Sequence, residues 1–531
     1  MRFLVGMVML VICAVLPVAA DGGVSVNLDL MPVPRSLELL DGAQTLDESF
    51  AVALRGDGAT PRLERATRRF LRRLSDRTTL FLEPEAFLDF SPREGVTMTV
   101  TVGRAGELVV GEHEGYRLVV GRAGVKIDAE TDLGAMHALE TVLQLLDIRE
   151  QGPVLPWVSI DDGPRFPWRG LMIDSSRHFM PVGTILRNLD GMAAVKLNVM
   201  HWHLVDDQGF RVECRSQPKL HELGSDGLFY TRAQVREILD YAADRGIRIV
   251  PEFDLPGHGS AWLTAYPELA SAPGPYEIER RWGIFDPTVN PVKEATYTFF
   301  EAFFAEMAEL FDDQFIHIGG DENNGKHWLA NPEIVAFMKE HGFAEPLELQ
   351  RYFNERLLEI LTKHGKRMVG WDEIFQEGLP TSAVIQSWRG RDALFESARL
   401  GYSGILSNGY YIDLIRPTEH HYLNDPLPDD TDLTPEQAAR VLGGEATMWA
   451  EFVSPETVDS RIWPRTAAIA ERFWSPSSVR DVRDMYRRLD RISLWLEELG
   501  LQHERNRPAM LRRLCQCRGI EPLEVLSLIH I

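Results

Sequence analysis

Cysteine is scarce in this 531-residue chain, and so are long apolar runs and clusters of positive charge. The four cysteines are too few for a disulfide framework, and their spacing is not that of a metal-binding motif. Whether Cys515 and Cys517 pair with each other or stay free is open, and Cys214 has no obvious partner. The net charge of −23 and the lack of a basic stripe argue against nucleic acid as a partner.

The only apolar run long enough to raise the question of a membrane lies at the N-terminus. Arg2 precedes an apolar stretch over residues 3–16, and Ala19 and Ala20 provide a small-residue end, as in a secretory signal. The stretch is short for a membrane anchor, which needs ~20 apolar residues, so no membrane span is expected. We therefore predict residues 1–20 as a signal peptide and a secreted, periplasmic or lumenal location.

The sequence predicts a small α+β domain over residues 21–163. Two strands of alternating apolar residues and then a helix occupy residues 115–146. A basic helical stretch at 62–74 and a strand at 96–102 belong to the same unit. The polar turn at 161–164 marks the expected boundary.

Beyond this boundary, short apolar strands alternate with amphipathic helices. The eight candidate strands are 170–174, 197–204, 247–253, 315–318, 367–371, 384–388, 403–407 and 444–449. Helical patterns at 231–245, 293–311 and 349–364 fall between several of them. This α/β alternation predicts a (β/α)₈ TIM barrel over residues 164–508, followed by a tail at 509–531 of uncertain structure. Such barrels build their active sites at the C-terminal ends of the strands.

The most informative segment reads Ile-His-Ile-Gly-Gly-Asp-Glu at residues 316–322. An apolar strand carrying His317 ends at two glycines, which let the backbone turn, and two carboxylates follow at the strand's C-terminal end. Adjacent Asp321 and Glu322 suggest acid/base chemistry. A solvated turn is the alternative for such a segment on its own.

Charged residues also flank the first three barrel strands. We favour Arg169 for binding a ligand, as a rigid fork of donors, and Arg177 for holding a loop. His201 and His203 suggest metal ligands, but no third ligand with suitable spacing follows, so we favour a hydrogen-bonded network and expect no metal. His258, after a Pro-Gly turn, either caps its loop or tunes a neighbouring carboxylate.

Three tryptophans stand at the ends of the fifth, sixth and eighth strands: Trp371, Trp388 and Trp449. Barrel cores use branched aliphatic residues, so these side chains indicate an aromatic box for a sugar ring or a methyl group. If these segments are extended, Tyr411 shares a face of the backbone with Asp413, as Trp449 does with Glu451. Each pair offers one stacking or donor group and one acceptor.

Together these motifs resemble the β-N-acetylhexosaminidases of glycoside hydrolase family 20. The resemblance runs from about Glu114 to Leu501. Its main motifs, in chain order, are Phe-Pro-Trp-Arg-Gly at 166–170, His-Trp-His-Leu at 201–204 with Asp-Asp-Gln at 206–208, Pro-Gly-His at 256–258, Gly-Gly-Asp-Glu at 319–322 with Trp328, and Trp-Ala-Glu at 449–451. Asn323-Asn324 is more polar than the family commonly has, and the residues at 526–531 resemble nothing in it.

The resemblance implies an exo-acting, retaining glycosidase that removes terminal β-linked GlcNAc or GalNAc without a cofactor and without a nucleophile from the enzyme. Glu322 would protonate the leaving oxygen and later activate water. The substrate's 2-acetamido oxygen would attack the anomeric carbon, and Asp321 would stabilise the oxazolinium intermediate. Tyr411 would donate a hydrogen bond to the acetamido oxygen, and the acetamido group and the sugar ring would be enclosed by Trp371, Trp388 and Trp449. The outer hydroxyls would be held by Arg169, Asp413 and Glu451. A relay to Glu322 would be formed by His258 and Asp206.

Other functions remain to be weighed against this one. A non-catalytic glycan-binding protein on the same scaffold is disfavoured, because both acids and Tyr411 are present. An endo-acting chitinase would need an Asp-x-x-Asp-x-Asp-x-Glu run, which the chain lacks. An exo-enzyme that releases a disaccharide stays open, as do the natural glycan, the preference between GlcNAc and GalNAc, and a homodimer as the assembly.

Overall fold

The structure is a computed structural model that describes residues 28–82, 88–89 and 97–520. The predicted signal peptide at 1–20 and the unmatched segment at 526–531 lie outside the described residues. Within the part of the chain that is described, no helix is both long and apolar enough to cross a bilayer.

The first domain is one mixed sheet with two helices against it. Its strands are β1 (Ser36–Thr45), β2 (Val52–Arg55), β3 (Leu88–Asp89), β4 (Met98–Arg104), β5 (Tyr116–Gly121), β6 (Gly124–Thr131), β7 (Asp147–Arg149) and β8 (Gly152–Asp162). They lie in the order β1-β8-β5-β6-β4-β2-β3, with β7 paired to β8. Helices α1 (Pro61–Thr78) and α2 (Asp132–Leu145) pack on each other. The prediction of a small α+β domain is confirmed.

The second domain is a closed barrel of eight parallel strands. These are β9 (Trp168–Asp174), β10 (Val199–Asp206), β12 (Arg248–Phe253), β13 (Phe315–His317), β14 (Arg367–Trp371), β15 (Val384–Ser387), β16 (Ser403–Leu406) and β17 (Val441–Met448). Strand β17 pairs with β9 and closes the sheet, while the short β11 (Gly209–Phe210) runs antiparallel to β10. Each of the eight predicted strands overlaps one of these, so the predicted TIM barrel is confirmed.

Helices surround the barrel. They are α3 (Val182–Ala194), α4 (Lys219–Leu223), α5 (Arg232–Ala243), α6 (Ser260–Ala265), α7 (Glu294–Leu310), α8 (Lys326–Ala330), α9 (Pro332–His341), α10 (Pro346–Lys363), α11 (Arg391–Arg399), α12 (Thr418–Tyr422), α13 (Pro435–Ala438), α14 (Val458–Ile462), α15 (Arg465–Trp474), α16 (Val482–Glu497) and α17 (His503–Cys515). Single 3₁₀ turns occur at Pro267–Leu269 and Asp372–Ile374. The three helical patterns read from the sequence coincide with α5, α7 and α10.

The C-terminal boundary differs from the expectation. We placed the start of a tail at residue 509, but α17 continues through that point, with Pro508 inside it. The helix ends at Cys515, which forms a disulfide with Cys517. Cys214 is buried and free. The open question of pairing is therefore answered by a bridge between the two C-terminal cysteines.

The interior of the barrel changes from apolar to polar along its axis. Near the N-terminal ends of the strands, an apolar cluster closes the barrel: Trp168, Val199, Val250, Phe315, Val369, Val384 and Ile405. Further along the same strands, buried polar side chains take over, among them His201, Glu252, His317 and Glu445. These four side chains therefore lie between the apolar cluster and the C-terminal ends of the strands.

Arg169 does not lie in this polar half, and its assignment as a ligand-binding residue is wrong. It is the second residue of β9, at the end of the barrel that faces the small domain, and it is fully buried. Its Nη1 lies 3.1 Å from Oε1 of Glu114 and donates to the carbonyl of Phe166, while its Nε donates to the carbonyl of Lys196. Its donors are therefore engaged in the domain junction.

Glu114→Gln tests this junction. It removes the carboxylate that neutralises Arg169 while keeping the side-chain shape, so we expect a loss of about 3–5 kcal/mol in the free energy of unfolding, the cost typical of breaking a buried pair. Equilibrium urea unfolding followed by tryptophan fluorescence measures it.

Asp161→Asn is the matched control for Glu114→Gln, because Asp161 pairs with Arg35 at a site where both side chains are more than half exposed. It should cost less than about 1 kcal/mol. Equal losses for the two variants would contradict the structural role of Arg169.

Candidate active site

The C-terminal ends of the barrel strands converge on one pocket. It is lined by Arg177, Asp321, Glu322, Trp371, Trp388, Tyr411, Trp449 and Glu451. All but Arg177 are residues that the sequence singled out for the site. A larger groove lies along the domain junction beside Arg35 and Arg117, but it contains none of these groups.

The two glycines shape the turn that presents the acids. Gly319 has a φ of +69°, and a Cβ at that position would lie 1.8 Å from Oδ1 of Asp254. The same Oδ1 accepts the N–H of Gly320, whose φ is also positive. Glu322 itself has a φ of 54°, a left-handed conformation that is strained for a residue with a side chain. The turn is therefore fixed by its close packing against the side chain of Asp254, and a solvated turn is excluded.

His258 connects the acids to a deeper carboxylate pair. Its Nδ1 lies 3.2 Å from Oδ1 of Asp206 and 3.2 Å from Oδ2 of Asp207. Its Nε2 lies 3.5 Å from Oε2 of Glu322 and 3.7 Å from Oδ2 of Asp321. The structure thus places His258 between Asp206 and Glu322, as the predicted relay requires, and adds Asp207 as a second partner.

The charges of this relay support one another. Burial by itself lowers the pKa of His258, but the charge of Asp206 and the nearby carboxylate oxygens of Asp206, Asp207 and Glu322 raise it well above its ordinary value. Burial raises the pKa of Asp206, yet the charges of Arg177 and His258 and its hydrogen bonds bring it below the ordinary range. His258 is therefore a buried cation at neutral pH, and Asp206 is its anion.

Asp321 has an unusual titration. Burial raises its pKa to about 6, the carboxylates of Glu252, Glu322 and Asp206 act in the same direction, and His258 opposes them. One oxygen, Oδ1, is buried without a hydrogen-bond partner. Asp321 therefore changes charge near pH 6 and holds an unsatisfied acceptor at the pocket.

An aromatic box lines the same pocket as Asp321. The ring centroids of Trp371 and Trp449 are 5.6 Å apart, and Tyr411 lies 6.4 Å from Trp449 and 6.4 Å from Trp388. The indole N–H of Trp371 donates to Oε1 of Glu252 at 2.9 Å. The predicted box is thus a continuous chain of four rings in one pocket.

Arg177 occupies the place that we assigned to Arg169. Its Nη2 lies 2.7 Å from Oδ2 of Asp206, and its guanidinium stacks 4.8 Å from the centroid of the Trp449 ring. Arg177 follows β9 at its C-terminal end, so it lines the pocket, whereas Arg169 precedes most of that strand. The earlier assignment of Arg177 to loop structure alone is therefore corrected.

Two acidic residues interact at the charged end of the pocket, which Glu451 lines together with Arg177. Burial raises the pKa of Asp413 to about 7, and the charge of Glu451 adds to this effect. Burial also raises the pKa of Glu451, while Arg177 opposes the shift. The charge of Glu451 therefore reaches Asp413, and both carboxyl groups offer acceptors for hydroxyl groups.

The histidines of β10 belong to a hydrogen-bonded network centred on Glu252. Its Oε2 lies 2.9 Å from Nε2 of His201 and also contacts His203, and its Oε1 lies 3.1 Å from Nδ1 of His317. Glu252 and His317 come from other strands, so sequence spacing around His201 and His203 did not reveal them. The structure therefore contains the network that we favoured for this pair.

Sequence reasoning missed three buried acids beside the pocket. Asp207 faces His258, Asp254 supports the glycine turn, and Glu373 lies under Trp388. Burial raises the pKa of Asp254 well above the ordinary value, and the charge of Asp321 adds to this. Each follows a barrel strand within a few residues, which is the one signal that the sequence offered.

Known proteins share this arrangement over both domains. The family description "Glycosyl hydrolase family 20, catalytic domain" matches residues 166–477, and "Glycosyl hydrolase family 20, domain 2" matches residues 27–163. The beta-hexosaminidase subunit beta of Mus musculus is 39% identical over 388 residues, which are 71% of this chain and 72% of that protein.

Solved structures agree. A chitobiase from Flavobacterium johnsoniae is 47% identical with a TM-score of 0.92, and the match covers 94% of this chain and 77% of that one. A variant beta-hexosaminidase of Streptomyces plicatus in complex with the product GlcNAc is 29% identical with a TM-score of 0.74, over 89% of this chain and 96% of that one. The chain belongs to glycosyl hydrolase family 20.

Proposed function

We propose that this glycoside hydrolase removes terminal, non-reducing β-linked N-acetylhexosamine by substrate-assisted catalysis. The observation that carries the proposal is the placement of adjacent Asp321 and Glu322 beside one aromatic box. The relatives named beta-hexosaminidase and the neighbour that holds GlcNAc support the substrate. Arg177, Asp413 and Glu451 form a charged end of the pocket that suits the outer hydroxyls of a single terminal sugar.

Glu322 acts as general acid and then as general base. Its side chain is about one third exposed, so it can reach a leaving oxygen at the mouth and then a water molecule. His258 contacts it from the buried side and carries a positive charge balanced by Asp206. This relay holds the carboxyl of Glu322 in place.

Asp321 assists the substrate's own nucleophile. With the acetamido group enclosed by Trp371, Trp388 and Trp449, its oxygen attacks the anomeric carbon and the bond to the leaving oxygen breaks. A positive charge then develops on the ring that contains the acetamido nitrogen. Asp321, with its free Oδ1 at the pocket, accepts the N–H and stabilises this charge. Water attacks the anomeric carbon in the second step, which gives net retention.

We further propose that the protein is exported. The support is the signal-like pattern of residues 1–20. N-terminal sequencing of the protein recovered from its native host would find a start near Asp21 if the segment is cleaved, and a start at Met1 would exclude the proposal.

Side-by-side hydrolysis of 4-nitrophenyl β-glycosides of GlcNAc, GalNAc and glucose tests the function. We expect turnover of at least one of the two N-acetyl sugars. The glucoside, which has no acetamido nucleophile, should react at least about 10³-fold more slowly, because an intramolecular attack is lost. Efficient cleavage of the glucoside would contradict substrate assistance.

Glu322→Gln tests proton transfer. We expect turnover of substrates with poor leaving groups to fall by roughly 10²–10⁴-fold, because a positioned acid is lost, with a much smaller loss for leaving groups that need no proton. Steady-state kinetics with both kinds of leaving group measure this. Glu340→Gln, an exposed change on α9, is the control, and equal losses on both substrates would count against the role.

Asp321 should control the acid side of the pH profile. Below about pH 6 it is protonated and neutral, so it no longer stabilises the cationic intermediate. We expect kcat/KM to fall by about tenfold per pH unit below that point. The residual activity of Asp321→Asn should lack this limb, whereas Asp312→Asn, at an exposed position before β13, should keep it. An unchanged limb in Asp321→Asn would assign the titration to another group.

A further inference from the structure

Glu373 is a buried acid for which the catalytic steps give no role. It lies in the 3₁₀ turn that follows β14, two residues after Trp371, and its side chain is 14% exposed. Its Oε2 accepts the indole N–H of Trp388 at 2.9 Å. Its Oε1 lies 3.8 Å from Nη1 of Arg389. Glu373 therefore bonds to one wall of the pocket from a neighbouring strand end.

The residue before it acts on the same loop. Oδ1 of Asp372 accepts from Nε of Arg389 at 2.6 Å, and its Oδ2 accepts from the backbone N–H of Arg389 and from the hydroxyl of Ser387. Two consecutive carboxylates thus bond to three consecutive residues, Ser387 at the end of β15 and then Trp388 and Arg389. Asp372 bonds to the hydroxyl of Ser387 before Trp388 and to the backbone N–H of Arg389 after it, and Glu373 bonds to the indole itself.

This arrangement controls where the Trp388 ring stands. The ring is half-buried, and its centroid lies 6.4 Å from that of Tyr411 across the pocket. Packing therefore does not enclose the ring on every side. An indole has a single polar hydrogen, and its bond to Glu373 sets the ring's rotation. A tilt of this ring would change the width of the box in which the acetamido group lies.

We propose that Glu373 is a positioning residue that, through Trp388, sets the size of the N-acyl group that the pocket accepts. The proposal rests on the proposed function, because that function places the acyl group between the tryptophans. Glu373 itself does not touch the reacting atoms. Its effect is on the selectivity for acetyl over longer acyl chains.

The protonation of Glu373 fits a hydrogen-bonding role. Burial raises its pKa to about 8, the charges of Asp321 and Asp372 act in the same direction, and Trp388 and Arg389 oppose them. At neutral pH the carboxyl group is therefore mostly neutral and adds no second negative charge beside Asp321. A glutamine, which is neutral and keeps a carbonyl acceptor, is a close replacement.

The test compares 4-nitrophenyl β-glycosides of N-acetyl- and N-propionylglucosamine. The measured quantity is the ratio of their kcat/KM values. In Glu373→Ala, we expect this preference for acetyl to fall by about tenfold, because the half-buried indole N–H loses its acceptor and the ring no longer holds one position. Glu373→Gln should stay within about threefold of the parent ratio.

Trp388→Phe shows whether Glu373 acts through this ring. Phenylalanine keeps an aromatic wall but has no N–H, so the variant should lose selectivity as Glu373→Ala does. The double variant should lose no more than either single variant, which is the result expected for two groups in one interaction. Glu377→Ala, an exposed change in the same loop, should leave the ratio unchanged.

Three results would overturn the proposal: an unchanged ratio in Trp388→Phe, a loss in Glu373→Gln equal to that in Glu373→Ala, or full additivity in the double variant. Circular dichroism checks folding, and if Glu373→Ala does not fold, Trp388→Phe and Glu373→Gln still decide. A parent protein that cleaves neither substrate would instead refute the proposed function, so the two failures are distinguishable.

Discussion

Crowding of carboxylates at one end of the barrel is the constraint on which the site depends. A closed parallel barrel brings the C-terminal ends of eight strands to the same mouth, and in this protein acids follow most of them. Asp321 is buried close to Glu252, Glu322 and Asp206, which raises its pKa. His258 opposes this shift, and both His258 and Arg177 form ion pairs with Asp206 that balance part of the negative charge at this end of the barrel.

Much of this site was predictable because barrel geometry converts a position in the sequence into a position in space. In a chain that alternates strands and helices, a residue just after a strand lies at the C-terminal end of the barrel. This rule placed Asp321, Tyr411 and Trp449 correctly. Period and length alone also located all eight strands to within a few residues. Strand period, strand length and position after a strand are local features, so a single sequence is enough to recognise them.

The failures came where the deciding partner lies far away in the sequence. Arg169 and Arg177 flank the same strand, and the rule that barrel sites lie at the C-terminal ends of strands favoured Arg177, but we chose Arg169 for its side-chain chemistry. Glu114, 55 residues earlier, decides the matter by burying Arg169 in an ion pair. Similarly, Glu252 and His317 join His201 only when three strands are laid side by side.

The domain junction has a consequence for how this enzyme can be divided. Glu114, Tyr116 and Asp162 of the small domain receive Arg169, Lys196 and the indole of Trp474 from the barrel domain. A catalytic fragment cut at the linker would expose two cationic side chains and an indole that are buried in the whole protein. The small domain thus covers buried polar groups of the barrel domain. A chimera built from two homologues would therefore have to take both domains from the same parent.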